Sequence, residues 1–76
     1  MVTIYIGKGK KDKISRGDIV GFLCKKGGLQ KDEVGKIDVK DRYAYVAVKS
    51  GVAAKLLKTV ANEKIKGLKT VFELIR

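Results

Sequence analysis

Between Lys8 and Arg16 the chain reads KGKKDKISR, with five cations (Lys8, Lys10, Lys11, Lys13 and Arg16) against one carboxylate, Asp12. So dense a run repels itself unless an anion is near, which makes polyanion binding the first chemistry to consider. Flexible lysines neutralise phosphate without reading anything else. Arg16 has a planar fork that grips a phosphate or a guanine edge at two points. The second group able to do chemistry is aromatic: the three tyrosines of the chain are Tyr5, Tyr43 and Tyr45. Rings on an open surface stack unpaired bases while cations hold the backbone.

Other chemistries lack their residues. There is no histidine, which excludes His-based acid–base and metal chemistry. Cys24 has neither a second cysteine nor a base beside it and reads as a small core residue, not a nucleophile. A lone cysteine allows no disulfide framework, so a reducing compartment and a cytoplasmic location are expected. Neither a G-x-x-x-x-G-K-[ST] phosphate loop nor a C-x-x-C metal motif occurs. The Arg16-Gly17-Asp18 adhesion tripeptide falls in the first turn of a capped helix and reads as coincidence. No apolar run approaches membrane-spanning length, and no lysine-bearing amphipathic helix argues for a membrane partner. The domain is expected not to be an enzyme and to hold no cofactor or metal.

The whole chain agrees with this balance. Eighteen Lys and Arg against eight Asp and Glu leave +10 on 76 residues, the footprint of a polyanion binder. The length suits one domain, 1–76, with a thin core, and 45% hydrophobic residues argue against disorder.

The elements that must position these groups follow from periodicity. VTIYI at 2–6 alternates as a half-buried strand, with Val2, Ile4 and Ile6 on one face. Ser15 and Asp18 have capping-box spacing, Ile14 and Ile19 bracket the cap, and Ile19, Phe22 and Leu23 form a helical stripe that Gly27 and Gly28 end. KIDV at 36–39 and RYAYVAV at 42–48 alternate again, joined by a polar turn at Asp41-Arg42. Ser50 is expected to cap a second helix carrying Val52, Leu56 and Val60, and Gly67 marks a turn before a last strand, TVFELI at 70–75. Strand, helix, strand, strand, helix, strand predicts an α+β split βαβ fold, a four-stranded antiparallel sheet with both helices on one face. Parity then places Thr3, Tyr5, Lys36, Asp38, Tyr43, Tyr45, Val71 and Glu73 on the open face, with the tyrosines on the two central strands.

IYIG at 4–7 resembles the first-strand motif of the RNA recognition motif (RRM), and DRYAYVAV at 41–48 is similar to its third-strand motif. The match departs at Asp41, where a cation is usual, at Arg42, which replaces glycine, and at Val48, which replaces an aromatic residue. A resemblance covering nearly the whole chain is to the DbpA-type C-terminal domain of bacterial DEAD-box RNA helicases. It is carried by GKGKKDKISRGDIVGFL, the glycine pair, VGKIDVKDRYAYVAV and KIKG, in matching order and spacing. Lys8 departs by standing between glycines where the family tends to a plain glycine pair. This resemblance implies an RRM-like, ferredoxin-like module that grips a hairpin of large-subunit ribosomal RNA during ribosome assembly. It also implies a helicase core in cis, outside this chain, that would use ATP and Mg²⁺.

The expected RNA-binding residues are therefore Tyr5, Lys8, Lys10, Lys11, Lys13, Arg16, Lys36, Arg42, Tyr43 and Tyr45, on a domain expected to be monomeric in isolation. Two paths remain open for the RNA: across the tyrosines, or against the basic loop and the start of the first helix, whose free N–H groups suit a phosphate. Asp38 and Glu73 repel phosphate on the open face, so the backbone should pass elsewhere. The alternative function is a protein-interaction domain whose basic surface meets an acidic partner.

Overall fold

Alternation decides the strands. The computed structural model describes residues 1–61 and 63–75. In β1 (Val2–Ile6), Ile4 and Ile6 are buried and Tyr5 lies half-exposed between them; in β3 (Ala44–Val48), Ala44, Val46 and Val48 are buried in the same way. The sheet is completed by β2 (Val34–Val39) and β6 (Phe72–Ile75), in the order β2-β3-β1-β6 with every neighbouring pair antiparallel. This is the predicted topology. β2 starts earlier than KIDV suggests because a bulge between Val34 and Ile37 interrupts its alternation. β3 starts later than RYAYVAV suggests. Tyr43 closes the β2–β3 turn instead, accepting the Lys40 N–H on its carbonyl at 2.8 Å.

Helices α1 (Arg16–Lys25) and α2 (Ser50–Val60) cover one face. Ile19, Phe22 and Leu23 of α1 and Ala53, Leu56 and Val60 of α2 join the strand residues in a single core. The α1 capping box forms as its spacing predicts: Ser15 N–H donates to Asp18 at 2.8 Å and Asp18 N–H donates to the Ser15 hydroxyl at 3.2 Å. Ile14 and Ile19, the flanking pair, are both buried. Ser50 departs from expectation. It is the first helical residue and Lys49 takes the cap position, with no side-chain bond to the free N–H groups.

A second, two-stranded sheet, β4 (Lys64–Ile65) with β5 (Leu68–Lys69), lies between α2 and β6 in the chain. Lys66 and Gly67 have φ of 50° and 77°, as a two-residue hairpin turn with both centres left-handed requires. Strands of two residues are too short to show a period, so Gly67 is their one sequence signal. Buried Ile65 ties the hairpin to the core.

The basic stretch is not the flexible loop that its composition suggests. Lys10–Asp12 forms a 3₁₀ turn, and Asp12 accepts the Gly9 N–H at 3.1 Å. Lys10 N–H donates to the Lys40 carbonyl at 2.9 Å and Lys11 N–H to the Asp41 carbonyl at 2.8 Å. Gly9 makes this approach possible: a Cβ there would fall on the Lys40 carbonyl oxygen and 2.7 Å from the Tyr43 nitrogen. Its φ of −146° suits any residue, so the requirement is space alone.

Gly9→Ala should therefore push the basic turn off the β2–β3 turn. Overpacking of about 1–3 kcal/mol predicts a Tm loss on the order of 10 °C in a chain this size. Gly7→Ala, whose Cβ would meet Val71 Cβ at an ordinary 3.5 Å, should change little. Equal Tm values for both variants would dismiss the close-approach account. A second expectation concerns pH. The Ser15 N–H, then the Ser15 hydroxyl and the Lys66 ammonium, hold the Asp18 carboxyl below the usual carboxylate range. A lowered folded value means that this stabilisation is complete above the unfolded value near pH 4 and is lost as pH falls through the folded one. Thermal melts between pH 7 and 3 should show that decline, and Asp18→Asn should flatten it.

Candidate nucleic-acid interface

Tyr5 and Tyr45 are direct cross-strand partners in β1 and β3, and Tyr43 lies two residues before Tyr45 on the same face. The three rings form one cluster, with centroids 6.0 Å apart for Tyr5–Tyr43 and Tyr5–Tyr45 and 5.4 Å for Tyr43–Tyr45. The first pair is nearly parallel, at 23°, and the last is edge-to-face, at 69°. All three rings are half-exposed, so the cluster has a free face on which bases can stack.

The register adds a charge pattern that matters for the backbone's path. Asp38 pairs with Tyr45, Tyr45 with Tyr5, and Tyr5 with Glu73, which makes a row of carboxylate, ring, ring, carboxylate across the four strands. Two unit charges 4 Å apart interact by about 1 kcal/mol in water and by more near a protein surface. A phosphate at either end of the row is therefore opposed unless a cation stands beside it. Glu73 is exposed and has no ion pair among the described residues. Asp38 has Lys40 at 3.1 Å, and that bond raises the Lys40 pKa above its ordinary value. The β6 end repels a backbone, and the β2 end tolerates one.

The cations lie at the β2 end. Lys10, Lys13 and Arg16 line a cleft of about 550 Å³ with Ser15, Asp38 and Val39, between the start of α1 and the β2 edge. Arg16 also lines a second cleft, of about 420 Å³, with Lys31 and Lys36. Lys10 is shared with a third, where it meets Lys40 and Tyr43. A continuous cationic track thus follows the exposed edge of the sheet and ends at the tyrosines. The two residue sets that the sequence offered meet where Lys10 and Tyr43 line one cleft.

The expected residues fall into three groups. Tyr5, Tyr43 and Tyr45 form the platform; Lys10, Lys13, Arg16 and Lys36 line the track. Lys36 sits beside the bulge, in the edge cleft instead of the regular open-face row that parity assigns it. Lys8, Lys11 and Arg42 line neither cleft nor platform: Lys8 is 4.0 Å from Asp12, Lys11 lies exposed on the 3₁₀ turn, and Arg42 is exposed on the β2–β3 turn. Sequence reasoning missed Lys31 and Lys40. Lys40 adjoins the predicted polar turn and was legible in principle. Lys31 lies on a 3₁₀ turn, Lys31–Glu33, that no periodicity announces.

Residues 3–74 match the family model described as the DbpA RNA binding domain. The chain is 43% identical over 67 residues to the ATP-dependent RNA helicase DbpA of Escherichia coli (strain K12), covering 88% of this chain and 15% of that protein. It is 34% identical over 67 residues to the helicase of the same name from Bacillus subtilis (strain 168), covering 88% and 14%. With the ATP-dependent RNA helicase DeaD of Mycobacterium tuberculosis (strain CDC 1551 / Oshkosh) it shares 29% identity over 68 residues, covering 90% of this chain and 12% of that one. The chain spans only a small part of the length of these relatives.

Tyr45→Ala should lower affinity for a short single-stranded RNA roughly thirtyfold, the middle of the range of about 1–3 kcal/mol per stacked base. Circular dichroism should show the fold retained, because the ring lies outside the core. Unchanged affinity in both Tyr43→Ala and Tyr45→Ala, measured by fluorescence anisotropy, would remove the open face from the interface.

Proposed function

The chain belongs to the DbpA RNA-binding domain family, and from that membership we propose that it holds a DEAD-box RNA helicase on one structured RNA, a hairpin of large-subunit ribosomal RNA, during ribosome assembly. The observation that carries the reading is the cationic track along β2 that ends at the tyrosine platform. A hairpin has the matching division, a duplex stem of phosphates and a loop of unpaired bases. The stem backbone follows Lys36, Arg16, Lys13 and Lys10, while splayed loop bases reach Tyr43, Tyr45 and Tyr5. Asp38, beside the last phosphate contact, is placed to accept from a base amino group, which a splayed loop base leaves open to it.

Phosphate contacts supply affinity and register, stacking on the platform selects unpaired bases, and discrimination among those bases falls to contacts at their edges. In this reading ATP and Mg²⁺ are handled by the helicase core in cis, and the domain contributes address, not turnover.

The test is a titration of the domain with the ribosomal hairpin and with the same stem carrying a scrambled loop, at several salt concentrations. A preference for the native loop that survives near-physiological salt is expected. Lys10→Gln with Lys13→Gln should weaken both probes alike and lower the salt slope by about one for each phosphate no longer neutralised. Equal affinities that fade together as salt rises would reduce the domain to phosphate attraction. Association with helicase-bound particles that survives RNase would favour an acidic protein partner instead.

A further inference from the structure

The helical side of the domain carries a second concentration of cations that the track along β2 does not use. Lys25 and Lys26 stand at the C-terminal end of α1, and Lys64 and Lys66 lie on the β4–β5 hairpin beside it. These four wall a cleft of about 370 Å³ that is open over α1 at Gly17 and Gly21. Its one carboxylate, Asp18, is already engaged by the Ser15 N–H, the Ser15 hydroxyl and, at 3.4 Å, the Lys66 ammonium. Lys26 is 3.9 Å from Glu63, and Lys25 and Lys64 have no ion pair among the described residues. The cleft is strongly positive.

Its composition distinguishes between anionic partners. Protein interfaces are depleted in lysine and built around an apolar or aromatic centre. Here the apolar side chains, Phe22 and Ile65, are buried and committed to the core. Ammonium groups around bare helix backbone suit a phosphodiester chain, which needs charge and close approach but no side-chain readout. A Cβ at Gly21 would meet nothing within 4 Å, so packing does not demand glycine there. Alanine would make the better helix by about 1 kcal/mol.

We propose that this cleft is a second RNA-backbone contact, taking the duplex that continues outward from the stem held along β2. The start of α1 joins the two surfaces, since Arg16 lines the edge clefts and Gly17 and Asp18 line this one. The inference rests on the RNA reading above and adds to it the path of the outer duplex.

Two probes test it: the ribosomal hairpin on a short stem, and the same hairpin with its stem lengthened by one helical turn. The unmodified domain should bind the longer probe several-fold more tightly. Lys25→Gln with Lys64→Gln should abolish that gain and lower the salt slope on the longer probe by about two, one for each phosphate left without its lysine. Binding of the short probe should stay within twofold. Gly21→Glu, whose Cβ would enter open space, should act in the same way while circular dichroism reports an intact fold. An equal gain from the longer stem in all three proteins overturns the second surface, as does a short probe that binds while the longer stem adds nothing. Failure of the unmodified domain to bind either probe overturns the RNA reading itself. Variants that keep the RNA gain but lose binding to polyglutamate would assign the cleft to an acidic protein, and overturn the proposal.

Discussion

The candidate interface depends on the contact of two backbones at Gly9. Residues 9–11 lie against the Lys40–Tyr43 turn without an intervening side chain, and two N–H···O bonds, to Lys40 and Asp41, fix them there. That contact puts the Lys10 side chain in the same clefts as Asp38, Lys40 and Tyr43. A free loop would have to order its lysines on binding, at the expense of affinity. A pinned turn has met most of the backbone part of that ordering during folding. The side chains keep the freedom that suits them to phosphate.

Charge then gives the open face a direction. The row is symmetric in residue type, two rings between two carboxylates, with Asp38 at one end and Glu73 at the other. It is asymmetric in potential, because Lys40 offsets Asp38 and the cleft cations stand beyond it, whereas Glu73 has no ion pair among the described residues. A nucleic acid can lay its bases on the rings from either side, but its backbone is favoured only on the β2 side. In the proposed reading, the row that receives the bases thus admits the backbone from one side alone.

The start of α1 is the second junction. Ser15 and Asp18 cap the helix, and Lys66, from the tip of the β4–β5 hairpin, reaches both Asp18, at 3.4 Å, and the Lys13 carbonyl, at 3.0 Å. Lys13 sits left-handed, with φ of 61°, and this ammonium holds its carbonyl. One exposed lysine therefore ties the hairpin, the helix cap and the end of the basic turn together. Each bond is weak alone, being exposed to water. Together they join the end of the basic turn to the α1 cap, the segment whose Lys13 and Arg16 line the edge cleft.

Local pattern alone determined much of this protein. Alternation in VTIYI and AYVAV, the Ser15–Asp18 spacing and the stripes of the two helices specify the strands, the helices and their order, because period and capping are properties of neighbouring residues. Parity likewise placed Tyr5, Tyr43 and Tyr45 together, since side-chain direction along a strand repeats every second residue. Only the tertiary structure decided which cations join them. Lys10 meets Lys40, and Lys66 meets Lys13, across long stretches of sequence, through contacts between backbone atoms or with a carbonyl that every residue type carries. Nothing in residue type marks such a carbonyl as a partner. The bulge beside Lys36, the pinned basic turn and the four-lysine cleft behind α1 were for that reason invisible until the chain was folded.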